Sequence, residues 1–70
     1  MLKLTIETKD IQLGSQIETA YDKALEQTTI EQFETKLYFH LPETMIFGQG
    51  GSHYWISDKS TKQRLAIIYK

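Results

Sequence analysis

The stretch from Gly48 to Lys70 constrains this chain's fold more than any other. Gly48-Gln49-Gly50-Gly51-Ser52 breaks the backbone, since glycine tolerates left-handed dihedrals without steric cost. His53 to Ser57 is aromatic and β-prone, Asp58-Lys59-Ser60-Thr61-Lys62 supplies turn chemistry, and Arg64 to Tyr69 returns as an apolar strand. A β-hairpin of this kind needs sheet neighbours and a cover for one face, and the rest of the chain offers both. Leu2, Leu4 and Ile6 alternate with Lys3, Thr5 and Glu7, which predicts an opening strand over about 2–8. That strand either pairs beside the last one or sits at an edge.

Lys9-Asp10 ends the opening strand, and Ile11 to Gly14 reads as a connector. Ser15 and Glu18 have the spacing of a capping box, in which serine caps a first-turn N–H and glutamate reaches back to the serine N–H. Ile17, Ala20, Tyr21, Ala24 and Leu25 follow as an amphipathic stripe opposite Glu18, Asp22, Lys23 and Glu26, predicting a helix over 16–27. Thr28 and Glu31 repeat the capping spacing and predict a short helix over 29–35, with Ile30 and Phe33 facing inward. Leu37, Phe39 and Leu41 alternate with Tyr38 and His40, and the β-prone aromatics predict a strand over 36–41 that Pro42 closes. Glu43-Thr44 turns into a further short strand, Met45-Ile46-Phe47. The order β-α-α-β-β-β-β is α+β: one small domain over 1–70, an antiparallel sheet with one or two helices packed on one face.

Seventy residues form one domain that buries only about 60% of its unfolded surface, so its stability is expected to be modest, about 3–5 kcal/mol. There is no cysteine, hence no disulfide and no thiolate metal site. A homodimer or a protein partner would extend so small a core. A hydrophobic content of 40% with 24% charged residues is that of an ordinary globular chain. No run approaches the ~18 apolar residues of a membrane span, and Met-Leu-Lys-Leu-Thr-Ile-Glu has no signal-peptide core, so the expected location is the cytoplasm, with no membrane.

The net charge of −1 hides an asymmetry. Residues 1–35 hold three lysines against seven acids, a net of −4, while residues 36–70 hold five cations against two acids, a net of +3. The acidic helical residues Glu18, Asp22, Glu26, Glu31 and Glu34 read as a solvated face; phosphate mimicry would require a far more acidic chain. The basic hairpin, with Lys59, Lys62 and Arg64, supports nucleic-acid binding as an alternative function, Tyr54 or Trp55 stacking on bases.

Ser52-His53, beside the glycines, is the one cluster suited to acid–base chemistry, because the ordinary histidine pKa is about 6.5. Gly51-Ser52-His53 followed by a hairpin resembles the glycine-serine-histidine segment of HicA-type toxins, small ribonucleases of toxin–antitoxin pairs. The resemblance covers about residues 50–69 and implies a catalytic His53, with Lys59, Lys62 and Arg64 on RNA phosphates. That family begins directly with a helix and is usually basic, and this chain departs on both points. Gly48-Gln49-Gly50-Gly51 lacks the Walker and dinucleotide patterns, so mobility or a tight bend between strands is its expected role. His40 and His53 would meet only on adjacent strands, and a useful metal site needs three or four ligands. The sequence therefore assigns no catalytic, cofactor or metal residue.

What remains is a ring-rich sheet covered on one side. The expected function is a small non-enzymatic interaction module, of the size and composition of an accessory or inhibitor protein of a phage or bacterial mobile element. Its predicted surface holds Tyr38 and His40 with one set from Tyr54, Trp55 and Tyr69, and His53, Lys59, Lys62 and Arg64 complete the candidate binding residues. Plain core packing is expected for Phe33, Phe39 and Phe47.

Overall fold

The computed structural model describes residues 2–27 and 32–70. Six elements follow in the order β1 (Lys3–Ile6), α1 (Ile11–Gln27), α2 (Phe33–His40), β2 (Met45–Gln49), β3 (His53–Asp58) and β4 (Arg64–Tyr69). The four strands form one antiparallel sheet in the order β1-β4-β3-β2, so the opening strand lies beside the last one and is also an edge. The α+β architecture is as expected from the sequence, with four strands where five were predicted. Among the described residues no helix is long and apolar enough to cross a membrane.

α1 begins at Ile11, one turn earlier than the Ser15–Glu18 spacing suggested. Asp10 is the cap: its Oδ1 accepts the N–H groups of Gln12 (2.9 Å) and Leu13 (3.2 Å), which have no partner inside the helix. Gly14, read as part of a connector, is a buried helical residue; a Cβ there would lie 3.2 Å from Ile6 Cγ2, so glycine lets the first turn settle on β1. The predicted stripe is otherwise correct, with Ile17, Ala20, Tyr21 and Ala24 buried, although Leu25 is exposed.

The strand predicted over 36–41 is instead the helix α2. Phe33 and Leu37, four residues apart on one face, are both fully enclosed, and that burial overrides the β propensity of Tyr38 and Phe39. Leu41 ends the helix in an extended conformation (φ −70°, ψ 143°), as a residue before proline must, while its N–H still reaches Leu37 C=O at 3.0 Å. The capping pair Thr28/Glu31 and the inward Ile30 lie outside the described residues.

α1 packs over β1 and β4. α2 sits toward β3 and β2, where the Phe33 ring meets Tyr54 at 5.9 Å and Tyr21 of α1 at 5.8 Å. The covered face of the sheet contributes Leu4, Ile6, Ala66, Ile68, Tyr54, Ile56, Phe47 and Met45 to this core. A polar tie closes one end: Glu34 on α2 accepts the Tyr54 hydroxyl (3.0 Å) and the Gln49 side-chain amide. Burial, then the Glu34 hydrogen bond and charge, push the Tyr54 pKa above its ordinary value, so it stays a hydroxyl donor.

The β3–β4 turn is organised by Asp58, whose Oδ1 accepts the N–H groups of Ser60 (2.9 Å) and Thr61 (3.0 Å) and the Ser60 hydroxyl (2.7 Å). These bonds, Thr61 N–H foremost, hold the carboxyl below its ordinary 3.8. A depressed folded-state value means the stabilisation is complete above the unfolded-state pKa and is lost as pH falls through the folded one. Thermal melts from pH 2 to 6 are therefore expected to show a wild-type loss below about pH 4 that Asp58→Asn partly flattens. Parallel profiles for the two proteins would contradict it.

Candidate functional site

Strand register assigns every side chain of the sheet to a face, because residues opposite each other in a ladder point the same way. On the face without helices one row runs Lys3, Tyr69, His53 across β1, β4 and β3. The next row runs Thr5, Ile67, Trp55, Gly48 from β1 to β2, and Ser57 and Ile46 lie beyond it. The His53 ring joins the two rows, 5.5 Å from Trp55 and 6.3 Å from Tyr69. Ile67 is only 6% exposed although no helix among the described residues covers it, so its neighbours on this face close over it.

Trp55 lies flat along the sheet because residue 48 is glycine: a Cβ there would collide with the indole Nε1 and Cε2. Gly48 and Gln49, expected in a loop, are in fact strand, and glycine serves here for close approach. Tyr69 is 48% exposed, while His53, Trp55 and Ile46 are half-buried. The ambiguity among Tyr54, Trp55 and Tyr69 resolves accordingly: Trp55 and Tyr69 share the open face with His53, and Tyr54 is in the core.

Tyr38 and His40 are not part of this face. Both belong to α2, in the other layer, where Tyr38 is 72% exposed and the His40 ring packs edge-on against Phe39 at 5.2 Å. His40 and His53 are thus separated by the sheet and do not share a metal site. Phe39, expected in the core, is 77% exposed, since a helix places it away from Phe33 and Leu37. Tyr38 and Phe39 flank a groove of about 690 Å³ whose other wall is β2.

Lys59, Lys62 and Arg64 lie at the opposite end of the hairpin from His53 and Tyr69, where Lys70 Nζ donates to Gly50 C=O at 3.0 Å. Arg64 is engaged by Glu7 in a two-pronged pair, Nε–Oε1 at 2.6 Å and Nη2–Oε2 at 3.0 Å, which leaves Lys59 and Lys62 as the cations of the turn. That pair is partly exposed and worth at most about 1 kcal/mol. Ser52 Oγ is 3.2 Å from His53 Nδ1, and among the described residues no carboxylate pairs with the ring to orient it as a base.

Sequence reasoning missed Ile46, Gly48 and Phe39 as surface-defining residues. A helical reading of 33–40 from the Phe33–Leu37 spacing would have exposed Phe39; for Gly48 no local signal exists, because its partner is Trp55 on the next strand. Compared with protein-family models, characterised protein sequences and solved structures, the chain matches none.

Proposed function

We propose that this chain is a non-enzymatic interaction module that docks a partner protein on the open face of its sheet. The supporting observation is the contiguous set Trp55, His53 and Tyr69, rigid rings on a strand platform with Tyr69 half-exposed at its rim. Aromatic side chains on rigid elements give large contact area at low entropic cost and dominate interface energetics. A protein is favoured over nucleic acid on charge. Among the described residues of the two ring-bearing rows Lys3 is the only cation, and the turn lysines are at the far end. Its size and composition fit an accessory or inhibitor protein of a phage or bacterial mobile element, acting in the cytoplasm.

Tagged wild type, Tyr69→Asp and His53→Asp, with Lys23→Glu on α1 as control, would be incubated with a lysate of the source cells. A stoichiometric protein retained by wild type and control, and lost by both face variants, is the expected result. The purified partner should also shift the emission of Trp55, the chain's single tryptophan. Capture of nothing, or equal capture by all four, overturns the reading. Retention of RNA or DNA that falls steeply with salt would put nucleic acid in the partner's place.

A further inference from the structure

Among the described residues β2 is an edge strand whose only neighbour is β3, and its backbone pattern says what can pair with it. Lys59 N–H donates to Thr44 C=O and Gly50 N–H to His53 C=O, both at 2.8 Å. Residues alternate between facing the partner strand and facing away, so 44, 46, 48 and 50 are spent on β3 and the backbones of 45, 47 and 49 face the free edge. The Met45 N–H is closed by Pro42 C=O at 3.1 Å. The edge therefore presents Phe47 N–H and C=O, Gln49 N–H and Met45 C=O. These form a self-complementary set about Phe47.

Edge strands are usually protected by charge, proline, a bulge or a covering element. The other edge, β1, carries Lys3 and is followed by Glu7, whereas Met-Ile-Phe-Gly-Gln in β2 has no charge and no proline. Among the described residues the 690 Å³ groove leaves this edge uncovered: Met45 and Phe47 line it from the helix side and Ile46 from the open face, so it follows the strand's edge. Its other wall is α2, with Tyr38 and Phe39 exposed, and Glu43 and Lys59 also line it.

We infer that a second copy of this chain occupies the edge, its β2 antiparallel to the first on a two-fold axis through Phe47, joining two four-stranded sheets into one of eight. Phe47 of each copy exchanges both backbone bonds with its counterpart, and each Gln49 N–H reaches the partner's Met45 C=O. A two-fold perpendicular to the sheet keeps both helix layers on one side. The helices that meet are the two α2, through Tyr38 and Phe39. A fully exposed aromatic side chain offers about 150–250 Å², so these two at 72% and 77% leave roughly 200–400 Å² per copy. That is a quarter to a half of the ~800 Å² per partner of a stable interface, and the strand edge with a groove of mixed lining, Leu41, Pro42 and Phe47 beside Thr35, Glu43 and Lys59, supplies the rest. A net charge of −1 and an uncharged β2 oppose the pairing little. This surface shares Ile46 with the open face but none of its rings, so Phe39→Glu, on the helix side, tests it independently of the first proposal.

Sedimentation of the full chain is expected to give twice the 8.2 kDa of one copy, with Phe47 and Gln49 amides protected from hydrogen exchange as concentration rises. Phe39→Glu and Ile46→Lys, each with an unchanged circular dichroism spectrum, should each weaken self-association by about 30-fold or more. Tyr69→Asp should leave it unchanged. A single-copy mass up to about 1 mM overturns the inference. So does a dimer whose Phe47 and Gln49 amides exchange freely, or one that survives both edge variants. Protection of those amides only when another protein is added names a different occupant and also overturns it.

Discussion

Phe33→Ala is expected to leave the protein largely unfolded at 25 °C. Phe33 is 1% exposed and links three elements, with Tyr21 of α1 edge-on at 5.8 Å and Tyr54 of β3 at 5.9 Å. Truncating a buried phenylalanine costs about 3–5 kcal/mol, from lost transfer energy and from the cavity left behind. A 70-residue domain without a disulfide holds about that much stability in total. Phe39→Ala is the matched control: 77% exposed, it should change the unfolding free energy read from a urea titration by no more than about 0.5 kcal/mol at concentrations where the protein is monomeric. The pair also distinguishes a helix from a strand over 36–41. Were that segment a strand with Phe39 inward, both substitutions would be costly, and a loss of several kcal/mol on Phe39→Ala would refute α2.

Gly48→Ala should destabilise by about 1–3 kcal/mol, the usual range for forcing extra atoms into a packed site. The obstacle is the Trp55 ring itself, a bulky group held on β3, so relief requires the indole to swing off the sheet. Such a swing would uncover Ile67, now only 6% exposed beside it. The chain has a single tryptophan, so its emission should move to longer wavelength in the folded state. An unchanged melt with unchanged emission would mean that the indole does not lie over residue 48.

The elements legible in the sequence were those whose signals are local. Leu4 and Ile6 alternate cleanly, Ile17 to Ala24 repeat with helical spacing, and Asp58 to Lys62 makes a turn from its own side chains. The misread elements depend on distant partners. Gly14 looks like a breaker until Ile6 of β1 is beside it, and Gly48 looks like a loop until Trp55 lies over it. Tyr38 and Phe39 carry β propensity, and only the enclosure of Phe33 and Leu37 by α1 and the sheet decides for helix. At the candidate site, alternation in β3 put Tyr54 and Trp55 on opposite faces, yet which of them faced the helices depended on the neighbouring strands. The Asp10 cap was readable, since aspartate directly precedes Ile11; the later Ser15–Glu18 spacing competed with it.

The adjacency of β1 and β4 bears on the order of synthesis. Of the described elements β1 is synthesised first, yet its one neighbour among them is β4, the last. At about 5–20 residues per second, roughly 3–12 s separate the two. During that interval Leu4 and Ile6 have no ladder to join, and the nascent chain must wait with its first strand unzipped.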